Sequence, residues 1–212
     1  MPVVNACFIS YRHRPVKDYE TWIDDLHREL GNEILLHLSD EGVYLDKLRL
    51  EGGDFYNDDL ARALCESVCL IMVYIRTYFD SKYPYCAREY KAMEKLEAER
   101  LEKLGNIGVR QHGIIIPIVC RDWEHFPAEI KSKRQCYNFE TYLMEKPRIS
   151  KHPKALGEIK KIGKYVADRY WELKSLPEDA CAPCATFVLP TEEEVKPWLT
   201  QVTAVCLGFP RP

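Results

Sequence analysis

The stretch SVCLIMVYIRTYFDSKYPYCAREYKAM, residues 67–93, contains the two patterns that decide the fold. Residues 68–75 are almost all apolar and β-prone, as expected of a parallel strand that is covered on both faces. Pro84 then occupies a favourable first position of a helix, which we predict to run to Leu104 and to end near Gly105. A buried strand followed by a long amphipathic helix is the unit from which α/β sheets are built.

The same alternation of strand and helix extends from this stretch in both directions. We predict further strands at residues 3–10, 43–45, 113–119 and 135–138. Apolar residues at helical spacing predict helices at 19–30, 55–64 and 159–170, and Gly31 and Asn32 are predicted to stop the first of them. This order predicts a parallel sheet with helices on both faces, and such sheets bind ligands beyond the carboxyl ends of their strands.

Composition sets the domain organisation and excludes some functions. Of the 212 residues, 46% are hydrophobic and 30% are charged, as in a globular protein with a substantial core. We divide the chain into an α/β domain at residues 1–175 and a proline- and threonine-rich extension at residues 176–212. The extension contains Trp198 and an apolar stretch at residues 202–207, which predict that it docks onto another surface. The formal net charge of -3 gives no support for nucleic-acid binding, and the apolar runs are too short to span a membrane.

The cysteines indicate a reducing compartment. Their number, nine, is odd, and several lie inside apolar runs, where a thiol acts as a small hydrophobe: Cys7, Cys69 and Cys120. The amino terminus lacks the cationic segment of a signal peptide, so we expect a cytosolic protein with reduced thiols. Cys181 and Cys184 form a C-x-x-C pair, but too few further ligands follow for a zinc site, so no bound metal is expected.

Three segments of the chain resemble TIR (Toll/interleukin-1 receptor) domains. CFISYRHRP, residues 7–15, resembles the family's first strand and following loop, and VYLDKLRLEGGDFYNDDLARAL, residues 43–64, resembles its second strand, BB loop and next helix. Residues 67–93 resemble the third strand and the helix with the family's Trp-Cys-x-x-Glu motif, which here reads Tyr85-Cys86-Ala87-Arg88-Glu89, with tyrosine in place of tryptophan. The match covers residues 1–145 and implies a flavodoxin-like sheet of five parallel strands.

The resemblance also implies a function. TIR proteins are either enzymes that hydrolyse or cyclise NAD+ or adaptors that only assemble, and Glu89 occupies the position of the enzymes' catalytic glutamate. The pattern is similar to that of stand-alone bacterial TIR proteins of anti-phage defence (Thoeris-like), whose product acts as a messenger for a separate effector protein. The likeness further implies self-association through TIR surfaces. The chain has no P-loop and no G-x-G-x-x-G motif, so NAD+ is expected as a substrate and no cofactor is expected.

Glu89 is also unusual when its helix is considered without the family. Cys86, Glu89 and Met93 fall on one side of the helix, so that an acid interrupts an apolar stripe. Burying an unpaired carboxylate is costly, and spacing alone favours a structural glutamate at the edge of the stripe that forms an ion pair with a nearby arginine such as Arg88 or Arg12. The resemblance favours catalysis instead: a fixed negative charge stabilises the positive charge that develops on ribose as neutral nicotinamide leaves.

Further substrate contacts are expected at the ends of the first two strands and at the start of the helix: Ser10, Tyr11, Arg12, Asp46, Lys47, Tyr85 and Cys86. Arg12 either pairs with the pyrophosphate or is solvated, and Tyr85 either packs against nicotinamide or ribose or is an ordinary core or surface tyrosine. Asp46 is expected either to form a hydrogen bond to ribose hydroxyls or to cap its loop. Lys47 is expected in a loop that either gates the pocket or mediates self-association. Cys86 is expected to be a packing residue of the helix and not a nucleophile. Two other functions stay open, a non-catalytic TIR interaction module and a nucleoside deoxyribosyltransferase-like enzyme.

Overall fold

The computed structural model describes residues 4–14, 16–39, 42–45, 54–104, 113–145, 148–176 and 182–206. Four residues named above therefore lie outside the described residues: Asp46, Lys47, Gly105 and Cys181. The same is true of residue 3 in the first predicted strand and of residue 207 at the end of the apolar tail.

The described residues form a parallel sheet of five strands with helices packed around it. The elements follow one another along the chain as β1 (Asn5–Tyr11), α1 (Lys17–Leu35), β2 (Gly42–Leu45), α2 (Asp54–Cys65), β3 (Ser67–Tyr74), α3 (Tyr85–Leu104), β4 (Ile115–Val119), α4 (Ala128–Lys133), β5 (Tyr137–Asn138), α5 (Glu140–Glu145), α6 (Pro153–Lys174) and α7 (Glu192–Cys206). The predicted α/β class and the flavodoxin-like sheet are confirmed.

The strand order is β2-β1-β3-β4-β5, and every neighbouring pair is parallel. Each residue of β3 is buried, because its apolar side chains meet helices on both faces, as the sequence predicts. The chain passes from β1 to β2 on one side and then returns to β3 on the other side of β1. The carboxyl ends of β1 and β3 therefore form the switch point at which open α/β sheets bind ligands.

The two faces of the sheet carry different helices. α1 packs against α6, while α2 and α7 pack against α3. Successive residues of a strand point to opposite faces, and the end of β1 follows this rule. The side chain of Ser10 contacts Glu89 of α3, whereas the ring of Tyr11 lies near that of Tyr19 of α1, with 6.5 Å between ring centroids.

The prediction that Gly31 and Asn32 stop the first helix is wrong, because α1 continues to Leu35. Leu30 and Ile34 are both fully buried, so the apolar stripe runs past the glycine and its burial stabilises a further helical turn. The closing helix α6 also begins earlier than predicted, with Pro153 in its first turn. The short helices α4 and α5 and the longer α7 in the extension were not predicted.

The extension docks onto the α/β domain, as its apolar residues predict. The ring of Trp198 in α7 stacks on Tyr90 of α3 with 5.3 Å between centroids, and its edge contacts Phe79 at 4.9 Å. Thr191 and Glu194 form a reciprocal cap at the start of α7, in which each backbone N–H donates to the side chain of the other residue.

A disulfide between Cys65 and Cys184 joins the end of α2 to the extension, with the two Cα atoms 5.4 Å apart. The expectation of reduced thiols is therefore wrong for this pair, although it holds for Cys7, Cys69 and Cys120. Sequence alone does not reveal the pair, because 119 residues separate its members and only the fold brings them together. Among the helices of the described residues, none has the length and apolar character that crossing a bilayer requires.

Candidate functional site

Glu89 lies in the second turn of α3 and has no exposed surface. The hydroxyl of Ser10, near the carboxyl end of β1, donates a hydrogen bond to its carboxylate. Ser10 Oγ also lies 2.6 Å from the hydroxyl oxygen of Tyr78. Because the single proton of Ser10 goes to Glu89, Tyr78 is the donor to Ser10. The three side chains therefore form a buried chain of hydrogen bonds that ends on a carboxylate.

The fold explains why these three side chains meet. Ser10 pairs in register with Met72 in the neighbouring parallel strand β3. The two strands therefore end side by side, and the loop that follows β3 lies next to the end of β1. Tyr78 lies in that loop, and α3 then places Glu89 over the switch point. The sequence did not single out Tyr78, although its position just after the buried strand was the available signal.

Neither arginine named as a structural partner forms an ion pair with Glu89 in the described part of the chain. Arg88 is turned away, because its Nε donates to the carbonyl oxygen of Pro190 at 2.6 Å and its Nη1 to Asn57 Oδ1 at 3.4 Å. The guanidinium of Arg12 instead lies 3.9 Å from the centroid of the Tyr83 ring. Arg12 and Arg88 are therefore excluded as ion-pair partners of Glu89.

Arg12 itself is a buried cation beside this site. Its side chain is 8% exposed, and its Nε has no hydrogen-bond partner among the residues that the structure describes. A buried guanidinium N–H without an acceptor is costly, and a bound anion supplies one. Arg12 therefore suits the phosphate contact expected from sequence, and the ring of Tyr83 holds it in place.

The other expected contacts are brought to the same edge of the sheet. Tyr11 is buried and stacks on His13 with 4.3 Å between centroids. Tyr85 is half-buried, and its ring centroid lies 5.4 Å from the Arg88 guanidinium. Cys86 is fully buried with its thiol directed at the carbonyl oxygen of Tyr11 at 3.5 Å, in agreement with a packing residue. Asp46 and Lys47 lie outside the described residues.

No group of three or more metal-ligating side chains occurs in the described ranges of the chain. Cys184 is bonded to Cys65, and a disulfide sulfur is not the thiolate that zinc binds. Cys184 is therefore not available as a zinc ligand while this bond is formed.

Comparisons with protein-family models, with curated proteins and with solved structures find no match to this chain. The likeness to TIR domains thus rests on the three sequence segments and on the motif around Glu89.

Proposed function

We propose that this protein is a TIR-type enzyme that cleaves the nicotinamide–ribose bond of NAD+, with Glu89 as the catalytic residue. The observation that carries the proposal is a fully buried carboxylate at the switch point of the sheet, held by a hydrogen bond from Ser10. Buried carboxylates are expensive, and those that lie where the fold binds ligands are candidates for function.

The reaction asks for a fixed negative charge beside the ribose. When the bond from the anomeric carbon to nitrogen breaks, both electrons stay with nicotinamide, which leaves as a neutral molecule and needs no acid. The positive charge that develops on ribose is stabilised by a carboxylate held close to it. In hydrolysis a water oxygen bonds to the anomeric carbon and a proton passes to solvent, which yields ADP-ribose. In cyclisation an adenine nitrogen takes the place of water.

The neighbours of Glu89 have separate tasks in this proposal. Ser10 is a positioning residue, because its hydrogen bond fixes the orientation of the carboxylate. Arg12 offers its unpartnered Nε to the pyrophosphate. Tyr85, half-buried one turn before Glu89, offers a ring face to nicotinamide or ribose.

The same resemblance supports a biological setting, which we propose with the reaction. The protein acts as a bacterial anti-phage enzyme, assembles through its TIR surfaces, and signals through its product to a separate effector. A cytosolic location is part of this proposal. The buried thiols of Cys7, Cys69 and Cys120 fit a reducing compartment, whereas the Cys65–Cys184 bond is unusual there.

The test is an assay of nicotinamide release by purified protein at high concentration, alone and with infected-cell extract. Glu89→Gln keeps the size and the hydrogen-bond acceptor but removes the charge, and we expect it to abolish release. The matched control is Glu102→Gln, which makes the same change at an exposed position of the same helix. Release that survives Glu89→Gln excludes the role of Glu89, and mass spectrometry of the ADP-ribose isomers separates hydrolysis from cyclisation.

The full burial of Glu89 also favours a second function, the non-catalytic interaction module. A substrate reaches this carboxylate only if surrounding side chains move, whereas an adaptor needs no access to it. An interaction module releases no nicotinamide under either condition of the assay, and it keeps its self-association when Glu89 is changed to Gln.

A further inference from the structure

A cleft, which we call the arginine cleft, opens beyond the carboxyl ends of β1, β3 and β4. Its volume is about 450 Å³, within the range of small-molecule pockets. Three arginines line it, each from the loop after a different strand: Arg14, Arg76 and Arg121. Cations from three separate loops converge on one space because the strands are parallel and end at the same edge of the sheet.

The arginine cleft and the site around Glu89 lie at the same edge of the sheet but have different lining residues. Tyr19 of α1 and Leu143 of α5 line it, whereas Glu89 belongs to α3, on the other face of the sheet. None of the residues assigned above to the NAD+ site lines this cleft. A ligand here thus has its own contacts.

The cleft is built to hold a negative charge. Arg14 is fixed in place, since its Nε donates to Thr77 Oγ1 at 3.3 Å and both residues line the cleft. Asp18 and Asp122 also line it, yet within the described ranges neither forms an ion pair with Arg14 or Arg121. The acids beside these two guanidinium groups therefore do not bind them directly, and the three arginines outnumber the two acids.

Two local features of the lining residues point to a ligand. Tyr19 is 6% exposed and lines the cleft, but its hydroxyl finds no hydrogen-bond partner in the described part of the chain. Asp122 has left-handed backbone angles, φ 57° and ψ 49°, which aspartate tolerates better than most non-glycine residues but which are still uncommon and are enriched at binding sites. A polar ligand gives the Tyr19 hydroxyl the partner that the protein does not.

The remaining lining residues narrow the class of ligand. Guanidinium groups match phosphate oxygens in a two-pronged geometry, and several of them favour more than one phosphate. Val16, Ile75 and Leu143 add an apolar wall, which a simple inorganic anion does not need but a planar base does. Asp18 and Asp122 supply acceptors for ribose hydroxyls or amino groups. We propose that the arginine cleft binds a nucleoside diphosphate, with its phosphates on the arginines and its base on the apolar wall.

The test is calorimetric titration of the full chain with three probes: ADP, adenosine and inorganic pyrophosphate. We expect ADP to bind at least about tenfold more tightly than either fragment, because each fragment loses one half of the contacts. Pyrophosphate that binds as tightly as ADP shows an anion site only and overturns the nucleoside part of the proposal. Absence of ADP binding overturns all of it.

Variants locate the bound ADP. Arg14→Gln combined with Arg121→Gln is expected to weaken ADP binding about tenfold or more, whereas the control Arg62→Gln, an exposed arginine on α2, leaves it unchanged. Tyr19→Phe removes only the hydroxyl, which has no partner in the described part of the protein, so we expect weaker ADP binding with a melting temperature that is not lowered. Unchanged affinity in the double variant contradicts the proposal. Arg12→Gln tests the NAD+ site, whose pyrophosphate contact is Arg12, and a loss of ADP affinity in that variant assigns ADP to the NAD+ site, which also contradicts the proposal.

Discussion

Removing the indole of Trp198 tests whether the extension is a stable part of the fold. The ring stacks on Tyr90 at 5.3 Å, contacts Phe79 edge-on at 4.9 Å, and has the Lys91 ammonium 4.3 Å from its centroid. Truncating a buried aromatic to alanine costs about 3–5 kcal/mol, of which aromatic pairs supply about 0.5–1.5 kcal/mol each. Because Trp198 is only half-buried, we expect Trp198→Ala to cost about 2–3 kcal/mol.

The assay is urea unfolding, followed by circular dichroism, together with limited proteolysis of α7, both in reducing buffer so that the disulfide does not hold the extension. Trp171→Ala is the matched control, because that indole is 53% exposed and should cost less than about 1 kcal/mol. The N–H of Trp198 has no hydrogen-bond partner in the described residues, so Trp198→Phe should recover most of the loss. A cost for Trp198→Ala no larger than that of Trp171→Ala refutes the reasoning.

Three further predictions concern the core and the thiols. Reducing the Cys65–Cys184 disulfide should lower the free energy of unfolding by up to about 4–5 kcal/mol, because the bond closes a loop between residues 119 positions apart. Urea unfolding curves that coincide with and without reductant would contradict this. Arg100→Met should lower the free energy of unfolding, measured by thermal unfolding, by about 3–5 kcal/mol, because the buried Arg100 donates to three backbone carbonyl oxygens near the start of β3. A decrease of less than about 1 kcal/mol would show that these hydrogen bonds contribute little to stability. Burial raises the pKa of Cys69 to about 12 and that of half-buried Cys136 to about 11, so thiolate forms only at high pH. Both thiols should resist alkylation at about pH 8, and mass spectrometry should find Cys136 modified first as the pH rises.

The sheet was predictable because its strands are buried on both faces. β3 is a continuous apolar run, and β1 and β4 are nearly so. Such runs show no periodicity, so their short length is the feature that indicates strands and not helices. Helix ends were harder, because tertiary packing of Ile34 extends α1 through a glycine that propensity alone reads as a stop. α7 was not predicted, although Thr191 and Glu194 have the spacing of a helix cap. Pro197 inside the helix is a residue that usually argues against a helix.

The site was predictable only in part. The strand ends and the motif spacing predicted that Ser10, Arg12 and Glu89 lie at one edge of the sheet, because parallel strands place their carboxyl ends together. The hydrogen bond from Tyr78 and the stacking of Arg12 on Tyr83 depend on the path of the loop after β3, which no periodicity encodes. The Cys65–Cys184 bond and the arginine cleft likewise join residues far apart in sequence, so only the fold reveals them.

The central claim, that Glu89 breaks the nicotinamide–ribose bond, is tested most directly by the initial rate of nicotinamide release from NAD+. We expect the parent protein and Glu102→Gln to release nicotinamide at equal rates, and Glu89→Gln to be slower by about 10²–10³-fold or more, as for loss of a group that stabilises transition-state charge. Circular dichroism should show the same fold for all three proteins. Equal rates for Glu89→Gln and Glu102→Gln, or no release by the parent protein even with infected-cell extract, would contradict the account.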